Sequence, residues 1–256
     1  MQLGIAQRKA LVTGAGRGIG RAVANHLARA GARVAAVSRT EDDLRAFIAE
    51  HGESHAAVIL DLAEDNSAAR LTEALGKSFG WPDIVVHNVG GNLGLTDPLC
   101  PVAVWRQVMR FNLETAIEIN NLVVPHMRAR KWGKIVHVSS ISAIENHGTI
   151  PYCASKAALN AYTRSLGRFL SSDGINVSGV MPGAVRTEGG YWELAERERP
   201  EHAARFLAER MAIGRFGTPD EIAAFVVFLC SELSSFVAGS NFVVDGGHGR
   251  AFACDP

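Results

Sequence analysis

Tyr152 and Lys156 are the residues of this chain whose types and spacing best suit proton transfer. Residues four apart lie on one face of a helix, so the phenol and the ammonium come within about one turn of each other. A neighbouring cation favours the phenolate, and moving a phenol pKa from about 10 to near neutrality takes about 4 kcal/mol. A lysine in a partly dry site, helped by a cationic cofactor, could supply that stabilisation. The pair alone is weak evidence, because Tyr and Lys meet at this spacing in many helices by chance.

A glycine-rich segment near the start of the sequence predicts a dinucleotide site. The apolar run Lys9–Thr13 is typical of a buried strand, and it leads into Gly14-Ala15-Gly16-Arg17-Gly18-Ile19-Gly20 and then a helical pattern. Glycines let the backbone turn tightly and approach a pyrophosphate, while free N–H groups at the helix start face the anion. The order strand, glycine loop, helix is the context that such a site requires.

These two motifs together resemble the short-chain dehydrogenase/reductase (SDR) family, and the resemblance runs from Lys9 to about Gly247. Further segments occur in the family's order: Asp61, His87-Asn88-Val89-Gly90, Phe111-Asn112, Ser139-Ser140, Pro182-Gly183 with Thr187, and Asp245-Gly246-Gly247. The resemblance implies an oxidoreductase that transfers hydride between a nicotinamide and a ketone or secondary alcohol, of the carbonyl reductase or 3-oxoacyl-thioester reductase type. The alternatives are an NAD-dependent alcohol or diol dehydrogenase and a non-catalytic dinucleotide-binding sensor.

Strand-like and helix-like patterns alternate along the chain. The strand candidates are 8–13, 33–38, 56–60, 83–88, 134–139, 175–180 and 240–244. The helix candidates are 18–30, 41–51, 65–79, 102–130, 151–171 and 219–233. This alternation predicts a single α/β Rossmann domain over residues 1–256, a doubly wound parallel sheet of about seven strands with helices on both faces. Such sheets bind ligands beyond the carboxyl ends of their strands.

The composition argues against several classes of protein. The 26 basic and 26 acidic residues balance, so neither nucleic acid nor a membrane surface is an expected partner. The longest apolar run, 222–230, is too short to span a bilayer, and no leader segment is expected. Four scattered cysteines fit reduced thiols and predict a cytoplasmic protein. No Cys/His cluster has metal-ligand spacing, so no metal is expected.

The resemblance implies four catalytic residues: Asn112, Ser140, Tyr152 and Lys156. Tyr152 would exchange a proton with the substrate oxygen, while Lys156 would lower the tyrosine's pKa and bind the nicotinamide ribose. Ser140 would orient the substrate oxygen, and Asn112, in an expected helix distortion, would anchor a water that links Lys156 to solvent. The serine has an alternative, because counting back from Tyr152 as in the family selects Ser139. Neighbours in a strand point to opposite faces, and counting along the preceding strand favours Ser140.

The resemblance also implies a cofactor site spread along one edge of the sheet. Its expected residues are Gly14, Arg17, Gly18, Ile19, Gly20, Ser38, Arg39, Asp61, Leu62, Asn88, Gly90, Tyr152, Lys156, Pro182, Gly183, Val185 and Thr187. Asp61 would contact the adenine amino group, and Thr187 would bind the nicotinamide carboxamide. Asn88 and Gly90 would form a tight turn under the adenosine half, although His87 and Val89 depart from the family's usual Asn-Asn-Ala-Gly.

NADP(H) is the favoured cofactor, and NAD(H) is the alternative. An NAD site usually carries Asp or Glu at the end of the second strand, whereas this strand ends in Ser38-Arg39. Arg39 and Arg17 could grip a 2′-phosphate bidentately. The acidic residues 41–43 come too late for the ribose, and we interpret them as the first turn of a helix capped by Thr40.

A helical segment at about 188–213 is expected to cover a small-molecule substrate, as the corresponding segment does in the family. Tyr191 and Trp192 are the candidates for substrate contact, which favours an apolar cleft for the carbonyl or alcohol. Phe206 and Leu207 could instead form the core of a surface hairpin.

Two further expectations concern specificity and assembly. His147 and Glu145 fall in the loop that faces the expected cleft and could contribute to specificity, while the other histidines are expected to be structural. Because family relatives are commonly tetramers, we expect a homotetramer (or a homodimer) packed through the helices at 151–171 and 222–230.

Overall fold

Parallel strands form one continuous sheet in the computed structural model, which describes residues 2–95, 97–145 and 147–250. The strands are β1 Lys9–Thr13, β2 Arg33–Ser38, β3 Ala56–Ile59, β4 Ile84–His87, β5 Gly133–Val138, β6 Ile175–Pro182 and β7 Asn241–Val244. Across the described sheet their order is β3-β2-β1-β4-β5-β6-β7. β2 pairs with one side of β1 and β3 pairs with β2, whereas β4 pairs with the other side of β1. This reversal opens a crevice at the carboxyl ends of β1 and β4.

Helices cover both faces of the sheet. They are α1 Gly18–Arg29, α2 Glu41–His51, α3 Ser67–Ser78, α4 Val102–Met109, α5 Thr115–Arg130, α6 Ile150–Leu170, α7 Tyr191–Glu198, α8 Pro200–Arg210 and α9 Pro219–Leu229. On one face, α1 and α9 pack their buried side chains, such as Val23, Leu27 and Val226, against the sheet. On the other face, buried residues of α3 and α5, such as Leu71 and Ile119, do the same. The predicted doubly wound α/β fold is confirmed.

The helices α7 and α8 form a hairpin with a small core of its own. Ala203, Met211 and Phe216 are buried there, and Trp192 and Phe206 pack against them. The rings of Trp192 and Phe206 lie 4.0 Å apart between centroids. The alternative interpretation of Phe206 as a core residue of a hairpin therefore agrees with the structure.

The helix expected at 102–130 is interrupted. Residues Arg110–Glu114 form a π-helical turn between α4 and α5, and Asn112 lies within it. The side-chain amide of Asn112 donates to the carbonyl oxygen of Val108 at 2.9 Å, which competes with the regular backbone pattern. Turns of this kind are frequent at functional sites.

The apolar run at 222–230 is largely internal to this chain. Ile222, Ala223, Val226 and Val227 are buried against the sheet, while Phe228 of the same run is 37% exposed. Packing of this helix between subunits stays a prediction. The start of α9 is well specified, because Thr218 and Glu221 form a reciprocal capping box ahead of the apolar stretch. Within the described part of the chain, no helix has the length and apolar character needed to cross a membrane.

Three cysteines within the described residues, Cys100, Cys153 and Cys230, are free thiols. Cys254, the fourth cysteine predicted to be reduced, lies outside the described residues.

Candidate active site

The glycine loop carries the chain from β1 into α1 through backbone conformations that favour glycine. Gly14 and Gly18 have φ values of 65° and 58°. A Cβ on Gly20 would lie 2.1 Å from the carbonyl oxygen of Gly14, so only glycine allows this approach of helix to loop. Arg17 is the N-cap residue of α1 and makes no side-chain capping bond. The free N–H groups of the first turn are therefore available to a phosphate.

A cavity of about 1100 Å³ lies beyond the glycine loop. The predicted cofactor residues that line it are Gly14, Arg17, Gly18, Ser38, Arg39, Asp61, Leu62, Asn88 and Gly90. The amide of Asn88 donates to the carbonyl oxygen of Gly14 at 3.2 Å, and its backbone N–H donates to Thr13 Oγ1 at 3.0 Å. These bonds hold the turn after β4 against the glycine loop, although His87 and Val89 differ from the residues that the family usually has there.

Two arginines line this cavity, Arg39 just after β2 and Arg17 in the glycine loop, and each has a different neighbour. Arg39 Nη1 lies 3.5 Å from Asp61 Oδ2, and the Arg39 side chain is 69% exposed. Arg17 Nη1 lies 3.3 Å from the point where a Cβ on Gly189 would stand, so this guanidinium extends toward the segment before α7. Because Arg39 is exposed and loosely paired, its guanidinium can turn toward an anion in the cavity.

The acidic residues at the start of α2 lie closer to the cavity than we expected. Asp42 and Asp43 both line it, and a Cβ on Gly16 would lie 2.7 Å from Asp43 Oδ2. The interpretation of residues 41–43 as the first turn of a helix is confirmed, since α2 begins at Glu41. That these carboxylates come too late for the ribose stays a prediction, although the first turn of α2 packs against the glycine loop. Thr40 also makes no side-chain capping bond; its backbone N–H donates to Ser38 Oγ at 3.2 Å.

A second cavity, of about 470 Å³, continues the first along the sheet edge. The predicted site residues that line it are Arg17, Gly18, Ile19, Asn88, Gly90, Ser140, Tyr152, Lys156, Pro182, Gly183, Val185 and Thr187. Arg17, Gly18, Asn88 and Gly90 line both cavities, so the two form one cleft. The residues fit an extended dinucleotide, since the close-packed glycines leave room where side chains would fill it.

Tyr152 and Lys156 project from the first turns of α6 into the second cavity. Burial raises the pKa of the Tyr152 phenol, and a hydrogen bond with Ser140 opposes that rise. Lys156 Nζ lies 5.7 Å from the centroid of the tyrosine ring and donates to the carbonyl oxygen of Val138 at 3.0 Å. Burial lowers the pKa of Lys156 to about 8. Within the chain alone, burial has the largest effect on the pKa of Tyr152. That Lys156 together with a cationic cofactor lowers this pKa stays a prediction.

The two candidate serines point in different directions. Ser139 is buried, and its hydroxyl donates to the carbonyl oxygen of Lys156 at 3.4 Å. Both serines line the second cavity, but Ser140 bonds to Tyr152 and donates to Ser142 Oγ at 3.1 Å. The assignment of Ser140 as the catalytic serine stays a prediction, and its bond to Tyr152 supports it.

Asn112 lines neither cavity but supports the loop that does. Its amide donates to the carbonyl oxygen of Gly91 and accepts from the Gly91 backbone N–H, both at 2.9 Å. A Cβ on Gly90 would lie 2.7 Å from Asn112 Oδ1 and 2.8 Å from Lys156 Nζ. Asn112 thus fixes the glycine turn against Lys156, which is a positioning role. The predicted water between Asn112 and Lys156 stays a prediction.

The chain is similar to known proteins over nearly its whole length. A family model described as Enoyl-(Acyl carrier protein) reductase matches residues 14–248. The 3-oxoacyl-(acyl-carrier-protein) reductase FabG of Pseudomonas aeruginosa is 34% identical over 242 residues, covering 93% of this chain and 96% of the relative. The L-xylulose reductase of Mesocricetus auratus is 36% identical over 253 residues, covering 96% and 98%. The crystal structure of L-sorbose reductase from Gluconobacter frateurii, complexed with NADPH and L-sorbose, superposes with a TM-score of 0.89 at 31% identity, covering 97% and 98%.

The chain belongs to the short-chain dehydrogenase/reductase family. This confirms the resemblance drawn from the glycine loop and the Tyr152/Lys156 pair. The protein is accordingly an NAD(P)-dependent oxidoreductase that acts on a CH–OH or carbonyl group.

The sequence of this SDR did not identify every residue of the cleft. Glu188, Gly189 and Gly190, which follow Thr187, line it as well, and a Cβ on Gly18 would lie 3.2 Å from Thr187 Cγ2. The pair Gly189-Gly190 is the sequence feature that could have placed this segment at the cleft, because consecutive glycines let a segment lie close to another backbone.

The buried histidines of the sheet are held by neutral hydrogen bonds. His87 Nε2 lies 2.8 Å from Asn120 Oδ1, and His137 lies 3.2 Å from the amide of Asn120 and 2.9 Å from Thr163 Oγ1. Burial lowers the pKa of His87 to about 4 and that of His137 well below its usual value. Among the residues that the structure describes, no group of three or more His, Cys, Asp or Glu could hold a metal ion.

Proposed function

We propose that the protein is an NADP(H)-dependent carbonyl reductase or secondary-alcohol dehydrogenase, in a group that includes 3-oxoacyl-thioester reductases. The observation that carries the proposal is that Ser140, Tyr152 and Lys156 line a cavity continuous with the glycine-loop cavity. A proton donor, a hydroxyl and a buried cation beside a dinucleotide-sized cleft are the groups that hydride transfer to a carbonyl requires.

In this proposal the reduced nicotinamide, when bound, supplies the hydride. Tyr152 gives its proton to the carbonyl oxygen while the carbonyl carbon gains the hydride, which yields the alcohol and a tyrosinate. Ser140 donates a hydrogen bond to the same oxygen, and the Lys156 ammonium stabilises the tyrosinate until solvent returns its proton. Because burial raises the pKa of Tyr152, the phenol is protonated at neutral pH, as the acid in reduction must be. Oxidation of an alcohol reverses these steps.

The remaining cofactor roles are those that the family resemblance implies. Asp61 would bind the adenine amino group, Asn88 and Gly90 would pass beneath the adenosine ribose, and Thr187 would bind the carboxamide. Lys156 would hydrogen-bond the nicotinamide ribose in addition to its role beside Tyr152. All five residues line the cleft.

The preference for NADP(H) rests on charge at the end of β2. Ser38 replaces the usual carboxylate, and Arg39 and Arg17 both line the adenosine cavity. Two guanidinium groups can bind a dianionic 2′-phosphate, with the bidentate geometry that arginine offers. The NADPH complex of L-sorbose reductase supports the same preference.

The NAD-dependent alternative has one observation in its favour. Asp42 and Asp43 line the adenosine cavity, and carboxylates there would repel a 2′-phosphate and accept hydrogen bonds from a ribose. A non-catalytic sensor has no comparable support, since Tyr152 and Lys156 both line the cleft.

The organisation of the protein is also proposed. We expect one domain over residues 1–256, in the cytoplasm, with the segment at about 188–213 covering a small-molecule substrate through Tyr191 and Trp192, which line the second cavity. Apolar side chains at Phe228, Leu233 and Phe236 are exposed, which supports a homotetramer or homodimer.

Steady-state assays of a ketone panel with NADPH and with NADH test this function. Tyr152→Phe should lower kcat by at least about a hundredfold, because the proton donor is removed, while NADPH affinity stays within about threefold. Turnover by the Tyr152→Phe variant at the wild-type rate would remove the tyrosine from the mechanism. Higher kcat/KM with NADH than with NADPH would favour the dehydrogenase alternative.

A further inference from the structure

Asp43, in the first turn of α2, is a charged residue of the first cavity that a preference for NADP(H) does not explain. It lines this cavity, and the residue is partly buried. Among the described residues, no hydrogen bond or ion pair engages its carboxylate; only its backbone carbonyl is bonded. A carboxylate that lines a cavity without a partner of its own is available to a ligand.

The Asp43 carboxylate lies where the end of β2 meets the glycine loop. A Cβ on Gly16 would lie 2.4 Å from Ser38 Oγ and 2.7 Å from Asp43 Oδ2, so both oxygens approach the same point and only glycine leaves room for them. Ser38 is the last residue of β2, the position from which a carboxylate binds the adenosine ribose in NAD sites. Asp43 therefore brings a carboxylate from the next helix to a position where the strand itself has none.

The backbone of Asp43 is held against α1 by Arg21. Arg21 Nη1 donates to the carbonyl oxygen of Asp43 at 2.6 Å. Its Nε donates to Asn25 Oδ1 at 3.0 Å, and its Nη2 lies 3.4 Å from Glu50 Oε2. Because the Arg21 side chain is only 19% exposed and is bound at each of its three nitrogens, it keeps the first turn of α2 beside the glycine loop.

Asp42, the preceding residue, carries the same charge in different surroundings. Its side chain is 91% exposed and lies 3.8 Å from Arg45 Nη1. Solvent and this arginine screen the Asp42 charge. Asp43 is partly buried and, within the described ranges, has no arginine paired with its carboxylate. Of the two carboxylates, Asp43 should therefore have the larger effect on a charged ligand in the cavity.

We propose that Asp43 determines cofactor specificity by opposing Arg17 and Arg39 at the 2′ position of the adenosine ribose. With NADP(H), the two guanidinium groups attract the 2′-phosphate and the Asp43 carboxylate repels it. With NAD(H), the same carboxylate accepts a hydrogen bond from the ribose hydroxyl. The protein then binds both cofactors, and the charge of one residue sets the ratio of their affinities.

This inference rests on the proposed function, since it concerns the cofactor of the same reaction. It is opposed to the prediction that residues 41–43 come too late for the ribose. A residue too far from the ribose would affect NADPH and NADH equally, whereas a residue at the 2′ position distinguishes them, because the two cofactors differ only there.

Fluorescence titration of NADPH and NADH with the Asp43→Asn variant tests the proposal without requiring turnover. Asparagine keeps the size of the side chain and an acceptor oxygen but removes the charge. NADPH should bind about fivefold to thirtyfold more tightly, as expected when a partly screened charge near a dianion is removed, and the gain should shrink as salt rises. NADH affinity should change by less than about threefold, since the acceptor oxygen remains.

Two further variants control this measurement. Asp42→Asn removes an equal charge one residue away and should change either affinity by less than about threefold, because that charge is exposed. Asp43→Ser also removes the charge and should shift the ratio of affinities toward NADPH as Asp43→Asn does. The backbone carbonyl that Arg21 binds is unchanged in each variant, so α2 should keep its place.

The outcomes separate failure of this inference from failure of the proposed function. If no ketone is reduced but Asp43→Asn tightens NADPH alone, Asp43 keeps its role and the proposed activity fails. If the wild type binds NADH more tightly and Asp43→Asn narrows that difference by tightening NADPH, Asp43 keeps its role and the proposed NADP(H) preference fails. An unchanged ratio of affinities, an equal change for both cofactors, or the same gain from Asp42→Asn overturns the inference.

Discussion

Replacing Arg39 with alanine tests the cofactor preference most directly. Arg39 follows the end of β2 and lines the first cavity, and its near neighbour is Asp61 at 3.5 Å. NADPH and NADH differ in the 2′-phosphate alone. Removal of a guanidinium that binds this phosphate should therefore weaken the binding of NADPH and not that of NADH. The same substitution removes the contact with Asp61, which both cofactors would experience.

The exposure of Arg39 limits how much NADPH affinity the Arg39→Ala substitution should cost. A hydrogen bond to a charged group contributes about 1.5–3 kcal/mol, but the Arg39 side chain is 69% exposed, so solvent screening reduces the expected loss to about 1–2 kcal/mol. At about 1.4 kcal/mol per factor of ten, NADPH should bind roughly 5- to 30-fold more weakly. Loss of the exposed pair with Asp61 contributes about 0–1 kcal/mol to stability, so the fold should survive.

Fluorescence titration of both cofactors at low and at physiological salt provides the measurement. The NADPH effect should shrink as salt rises, because exposed charges are screened, while the NADH dissociation constant changes by less than about threefold. Arg45→Ala is the control, since Arg45 is another exposed arginine, paired with Glu41 on α2 and outside the cavity. Equal weakening of NADPH and NADH would refute the assignment of Arg39 to the phosphate.

Three further predictions concern Ser140, Lys156 and His87. Ser140→Ala should lower kcat by about 10²-fold through loss of a donor to the substrate oxygen, and Ser139→Ala should lower it far less; a larger loss at Ser139 in the same assay would reverse the assignment. Lys156→Met should abolish turnover yet stabilise the fold at pH 7 by about 3 kcal/mol in chemical denaturation, because burial lowers the folded pKa to about 8; this gain should be complete below pH 8 and vanish toward pH 10.5, and a pH-independent gain would contradict the explanation. The folded pKa of His87, about 4, lies below its unfolded value near 6.5, so stability should fall as pH drops from 6.5 to 4. His87→Leu should make stability fall less over this pH range. An unchanged pH dependence of stability in this variant would show that His87 does not cause the fall.

The fold followed from the sequence because strand and helix patterns alternate plainly, and the glycine loop specifies where the first crossover begins. The family resemblance predicted a helix distortion at Asn112, and the π-helical turn Arg110–Glu114 contains this residue. Periodicity alone could not predict the turn, since the side chain of Asn112 maintains it by bonding to Val108 and Gly91. Periodicity predicts a continuous helix through such a turn.

The candidate site was predictable where strand register decides side-chain direction, as with Ser139 and Ser140. It was not predictable where distant segments meet. Asp43 approaches the glycine loop only because α2 packs beside it. His248 is buried only because the chain after β7 returns to His147 and to Phe206 on α8. Neither placement has a local sequence signal.

The separate core of the α7–α8 hairpin has an evolutionary consequence. Ala203, Met211 and Phe216 pack with one another rather than with the layers that bury the sheet. Substitutions there can reshape the entrance to the cleft without disturbing the elements that present Tyr152 and the glycine loop. A lineage built on this scaffold can therefore acquire new specificities through a few changes in one module while its hydride-transfer apparatus is inherited intact.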